Sequence, residues 1–144
     1  MTRAELKSIF HQFCSFLLVS GVGWLIDFSI FTLLSYLTSL PVMVINIVSS
    51  TPAITYVFLM SGNKIFKNTE SKLSMKLKYL IYFGYQLLLL LLISAFAELL
   101  FAWFSNIFTA DFILNNLKLI IKILITPITM TLNFIVMKNL IERL

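Results

Sequence analysis

Histidine and cysteine are nearly absent from this chain, which holds one of each, His11 and Cys14, among 144 residues. A single thiol supports neither a disulfide framework nor a cysteine metal site. One imidazole with no carboxylate pattern around it supplies no metal-ligand cluster and no acid–base pair. Cys14, inside an apolar run, reads as a small hydrophobe, and His11, near Phe10 and Phe13, as a side chain at a membrane edge. Charge is scarce too: Asp, Glu, Lys and Arg make up 12% of the residues, about half of the ~25% usual in a soluble domain. No catalytic residue, cofactor or resident metal is expected.

What fills the chain instead is apolar. Hydrophobic residues make up 60% of it and the mean hydropathy is +0.98, against about 45 to 50% apolar residues in soluble domains. An all-α integral membrane protein follows, with residues 1–144 forming one transmembrane domain. Four runs, near 13–36, 42–60, 77–104 and 117–137, approach or exceed the ~20 residues a helix needs to cross a bilayer core. The first is too long for a cleaved signal peptide, carries Asp27 and lacks a small-x-small site at its end. Pro41 falls in the first turn between spans, whereas Pro52 and Pro127 fall inside spans two and four, where neighbouring helices can serve the carbonyls that proline frees.

The basic residues are distributed unevenly. Lys64, Lys67, Lys72, Lys76 and Lys78 lie between or beside spans two and three, Arg3 and Lys7 at the N-terminus, and Lys138 and Arg143 at the C-terminus. The connections at 37–41 and 105–116 contain none. The positive-inside rule then puts both termini and the middle loop in the cytoplasm, with the loop lysines serving as a topology signal that touches anionic headgroups. Lysines adjoining membrane spans, without a recognition motif, do not indicate nucleic-acid binding. Thr51-Pro52 in span two recurs as Thr126-Pro127 in span four, so the four helices read as two duplicated helical hairpins in parallel arrangement.

Three ionisable residues, Asp27, Glu98 and Lys122, interrupt the apolar runs. A charge at mid-membrane costs about 2.5 to 3.5 kcal/mol even on the lenient insertion scale. At 100° per residue, Lys118, Lys122, Thr126, Thr129 and Asn133 share one side of span four. Ser20, Gly23 and Asp27 share a face of span one, and Asn46, Ser49, Ser50 and Ala53 a face of span two. Small and polar faces turn inward in lipid, where close packing and interhelical hydrogen bonds hold helices together. Two readings of the charges stand side by side. Lys122 pairs with Asp27 or Glu98 as a structural ion pair, or it lines a cavity that receives an anion such as phosphate, with Asp27 holding the lysine or a sugar hydroxyl.

The run Ser20-Gly21-Val22-Gly23-Trp24-Leu25-Ile26-Asp27-Phe28 resembles the opening helix of the GtrA-like family of small four-helix membrane proteins. Asn63-Lys64-Ile65-Phe66 resembles that family's exit from the second helix, and Lys122, Asn133-Phe134 and Lys138 fall at its spacing in the fourth. Met60, Phe66-Lys67-Asn68 and Asn139-Leu140-Ile141 depart from its aromatic positions. The resemblance implies translocation of polyprenyl-phosphate-linked sugars across the cytoplasmic (inner) membrane for cell-surface polysaccharide glycosylation. Lys122, Asn133, Asp27 and Asn46 would then form a polar path for the head group. Asn63, Lys64 and Lys138 would form the phosphate-receiving set at the cytoplasmic surface. Membrane lipids are expected partners, with a membrane glycosyltransferase and a second copy of the chain as further candidates. A small multidrug-type cation exporter and a non-transporting partner of a glycosyltransferase remain as alternatives; a lysine in the cavity opposes the first.

Overall fold

The computed structural model describes residues 1–66 and 71–144, and within them every side chain except those at 42, 43, 94, 115, 116, 118, 119 and 122. Its elements are α1 (Arg3–Leu37), α2 (Val42–Met60), a π-helical turn (Ser61–Ile65), α3 (Met75–Ile107) and α4 (Asp111–Glu142). Among the described residues there is no strand. Four helices are long and apolar enough to cross a membrane, as the apolar runs require. Their outward side chains, Leu18, Leu25, Leu33, Leu88, Leu92, Leu99 and Ile123 among them, are large, apolar and exposed. A surface of that kind suits hydrocarbon rather than water.

The helices run past the ends of the apolar stretches. At 1.5 Å per residue, the 35 residues of α1 span about 52 Å, well beyond a hydrocarbon core of ~30 Å. Its start is set by a capping box: Thr2 Oγ1 accepts from the Glu5 amide at 3.3 Å, and the Thr2 amide donates to Glu5 Oε2 at 2.7 Å. Two otherwise unserved amides are satisfied this way. Pro41 caps α2 through its carbonyl, which accepts from the amides of Val44 and Ile45 at 3.0 and 3.1 Å. The connection expected over 105–116 is much shorter, because α3 continues to Ile107 and α4 begins at Asp111. No glycine or proline occurs in that stretch, and Asp111 in the first turn suits the positive end of the helix dipole.

Pro52 and Pro127 both lie inside continuous helices. Threonine hydroxyls cluster around each: Thr51 donates to Ile47 O and Thr55 to Thr51 O, both at 2.8 Å, and Thr131 donates to Pro127 O at 2.8 Å. Each hydroxyl thus finds an acceptor within its own helix, the usual way a polar side chain is carried through lipid.

The chain divides into two compact units, one of Met1–Tyr82 with Phe134–Leu144, the other of Phe83–Asn133. In the first, α1 and α2 meet through their small faces. A Cβ at Gly23 would lie 2.5 Å from Val57 Cγ2 and 3.6 Å from the Ala53 carbonyl oxygen. Only a glycine permits that approach. Phe58 meets Tyr79 edge-on and Tyr82 at a tilt, with centroids at 5.4 and 5.9 Å, and the hydroxyls of Thr55 and Tyr79 are 2.8 Å apart. In the second unit, Leu117, Ile121 and Ile125, four residues apart along α4, are buried against Ile93, Ala97, Leu100, Phe101 and Phe104 of α3. Glu98, next to Ala97, is exposed.

Candidate functional site

The π turn at the end of α2 decides what its exit motif presents. The Phe66 amide donates to the Ser61 carbonyl, five residues back, at 2.9 Å, so one extra residue is accommodated in the turn. Phe66 is thereby fully buried while Asn63 and Lys64 are exposed. Phe66 joins Phe16 of α1 and Phe134 of α4 in a ring cluster, with centroid distances of 6.3 Å to Phe16 and 5.8 Å to Phe134. Phe13 and Phe16 add edge contacts to Phe134 at 5.1 and 5.7 Å. The substituted exit motif therefore keeps an aromatic anchor, carried by Phe66.

Four residues beyond Phe134, Lys138 lies over this cluster. Its Nζ is 5.8 Å from the Phe66 ring centroid and donates to Gln12 Oε1 at 2.6 Å and to Glu142 Oε2 at 2.7 Å. Gln12 Nε2 in turn donates to Glu142 Oε1 at 2.8 Å. A closed ring of one cation, one amide and one carboxylate joins the start of α1 to the end of α4. It borders an open cleft of about 400 Å³ lined by Glu5, Ser8, Ile9, Gln12, Lys138 and Glu142, with Met1 at its edge.

Asp27 belongs to a separate polar cluster at the α1–α2 contact. Its Oδ1 accepts from Ser49 Oγ at 2.6 Å and from Ser50 Oγ at 3.2 Å. Ser49 is fully buried, and its hydroxyl also lies 3.1 Å from the Asn46 carbonyl. Asp27 thus answers to hydroxyls on the facing helix, and no described basic side chain pairs with it. The amide of Asn46 is half-buried and has no polar partner among the described residues. In the other unit, Asn133 Oδ1 accepts from Gln86 Nε2 at 3.0 Å, and Thr129 Oγ1 donates to the Thr126 carbonyl at 2.9 Å.

The expected site residues therefore fall into distinct groups. Lys138 is brought together with Phe66 and Phe134; Asp27 is linked to the Asn46 carbonyl through the Ser49 hydroxyl; Asn133 is bonded to Gln86. Asn63 and Lys64 point outward and take no polar partner among the described residues. Lys122 lies on α4, and its side chain, like that of Lys118, falls outside the described residues, as do Lys67 and the ion pairs expected of Lys122.

One expectation is corrected. Lys78 is not a headgroup-touching lysine: it is 1% exposed, and its Nζ donates to the Ile141 carbonyl at 3.2 Å. The amides of Lys72 and Leu73 donate to Leu144 O at 2.9 and 3.1 Å, so the segment before α3 folds over the end of α4. A cation there serves carbonyls at the negative end of a helix.

A family model described as GtrA/DPMS, transmembrane domain, matches residues 15–141. The chain belongs to this family. No curated protein and no solved structure gives a significant match. Members of the GtrA/DPMS family are associated with lipid-linked sugar translocation and glycosylation, and the domain is a membrane part of flippase-like proteins rather than a typical catalytic one. For this GtrA/DPMS domain, the sequence left Gln12, Glu142 and Gln86 unmarked and placed Lys78 among the exposed lysines. Gln86 carried a signal, a lone amide inside the apolar run of span three. Gln12 and Glu142 sit in polar ends where nothing distinguishes them from solvated neighbours.

Proposed function

We propose that the chain translocates polyprenyl-phosphate-linked sugars across the cytoplasmic membrane, with both termini on the cytoplasmic side. The observation that carries this reading is Lys138: an ammonium held between an aromatic cluster and an open cleft at the end of α4, in a chain of this family. A phosphate approaching from the headgroup layer meets a cation already oriented by Gln12. Lys138 then acts as the receiving charge, with Lys64, exposed at the exit of α2, adding to the local attraction.

Lys122 is proposed as a second cation at another depth. It lies sixteen residues before Lys138 in the sequence. Asn46 and Asn133 are proposed to offer their amides to sugar hydroxyls, and Asp27 to hold the helix contact beside Asn46 through Ser49. The test is translocation of a labelled polyprenyl phosphosugar in proteoliposomes containing only this protein. Lys138→Met and Lys122→Met are each expected to lower the rate at least tenfold. Unchanged rates in both variants would remove the phosphate-handling reading. Movement that occurs only when a glycosyltransferase is added would make the chain an accessory protein instead.

A further inference from the structure

We propose that Glu142 holds the place of the lipid's phosphate on Lys138, so that substrate binds by exchanging one anion for another; this rests on the reading of Lys138 as the phosphate-receiving group. The carboxylate presents two oxygens and one negative charge. One oxygen accepts from Lys138 Nζ at 2.7 Å and the other from Gln12 Nε2 at 2.8 Å. A phosphodiester also has one negative charge shared between two unsubstituted oxygens. Lys138 and Gln12 thus form a donor pair already matched to that group, and the carboxylate occupies it.

The orientation of the Gln12 amide follows from the same ring. Its oxygen faces the ammonium at 2.6 Å and its nitrogen faces the carboxylate, the only assignment in which both bonds have a donor. When the carboxylate leaves, Gln12 and the Phe66 ring, 5.8 Å from Nζ, still hold the lysine in position.

Glu142 is also weakly held. It ends α4, where the helix dipole disfavours a negative charge. The pair is spaced i,i+4 with lysine first, the less favourable order for such a pair. Both side chains keep about a quarter of their surface exposed, at 25% and 26%, and both line the cleft. Solvent and ligand therefore reach the pair, and the carboxylate can swing out without opening the aromatic cluster beneath it. A carboxylate placed against the dipole contributes little to helix stability; as an exchangeable anion it keeps Lys138 neutralised until a phosphate arrives.

The experiment measures equilibrium binding of a short-chain polyprenyl phosphoglucose to the purified full chain in nanodiscs of uncharged lipid. Glu142→Gln is isosteric, and its amide oxygen can still accept from Lys138. Its amide nitrogen cannot accept from Gln12 Nε2, so that bond is given up, while the Lys138–Gln12 bond still ties α1 to α4 and the competing charge is gone. The expected result is binding about two- to fivefold tighter than wild type, the range set by a weak, partly exposed ion pair, with the advantage shrinking at high salt. Lys138→Met is expected to abolish the binding. Affinity unchanged or weakened in Glu142→Gln, with binding still lost in Lys138→Met, overturns the exchange and leaves the phosphate reading intact. Binding retained in Lys138→Met overturns both.

Discussion

Gly21 and Gly23 lie two residues apart in α1, yet alanine should be far better tolerated at the first than at the second. A Cβ at Gly21 meets nothing within 4 Å, whereas one at Gly23 would lie 2.5 Å from Val57 Cγ2. Carbon atoms rest about 3.5 to 4.0 Å apart, so roughly 1 Å or more must be recovered by movement. Val57 cannot supply it easily, since a β-branched side chain in a helix has essentially one rotamer, and the Ala53 carbonyl behind it belongs to the α2 backbone. The overlap should cost about 1 to 3 kcal/mol. Both substitutions also gain helix propensity, about 0.8 to 1.0 kcal/mol. That gain is common to the two sites, so the difference between them isolates the packing term. Gly21→Ala should stabilise by somewhat under 1 kcal/mol, and Gly23→Ala should lie about 1 to 3 kcal/mol below it. The assay is reversible unfolding in mixed micelles at rising SDS fraction, followed by helical circular dichroism. Trimming Val57 to alanine should remove most of the penalty, giving a coupling of opposite sign to that of a lost contact. A difference between the two glycine variants below about 0.5 kcal/mol, or one that persists with Val57→Ala, would refute the close α1–α2 approach.

Two further substitutions probe the polar contacts of the same unit. Ser49→Ala removes the shorter hydroxyl bond to Asp27 and should cost about 0.5 to 1.5 kcal/mol, less if Asp27 is already Asn; a double-mutant cycle in the same unfolding assay reads the coupling, and additivity would place the two side chains apart. Lys78→Met strips the buried ammonium from the Ile141 carbonyl and should loosen the end of α4, raising amide hydrogen exchange over residues 138–142 while leaving α2 protected; unchanged exchange there would show that Lys78 does not cap the helix.

What the sequence makes legible depends on contrast between residue types. The four membrane helices are plain because apolar runs of that length have few other physical outcomes. The face of Ser20, Gly23 and Asp27 is visible from helical spacing alone, and so is the facing set of Ser49, Ser50 and Ala53. Their meeting is harder to see, because the register between two helices depends on which glycine accepts which side chain, and Gly21 and Gly23 look alike until Val57 is placed. Lys78 is misleading for a different reason: it stands among exposed lysines, and only the fold of residues 71–74 over the end of α4 turns it inward. Helix ends are illegible where apolar contrast stops, so the extension of α3 and α4 into 105–116 rests on the absence of breakers rather than on any pattern.

The polar contacts differ in what can replace them. Asp27, Ser49 and Ser50 satisfy one another inside a helix contact closed by Gly23, and the alternative to their bonds is an unserved polar group in hydrocarbon, which costs several kcal/mol. Such a cluster resists exchange and fixes the register of α1 on α2. Lys138 is bound to a carboxylate that lies in reach of water, against the helix dipole and beside a cleft, where losing one partner to another anion leaves nothing unserved. A site that must take up and release a charged head group needs contacts of the second kind, built on a frame held by the first. In this chain the frame lies at the α1–α2 interface and the exchangeable contact at the α1–α4 ends, so substitutions at Asp27 should act first on folding and those at Glu142 first on ligand affinity.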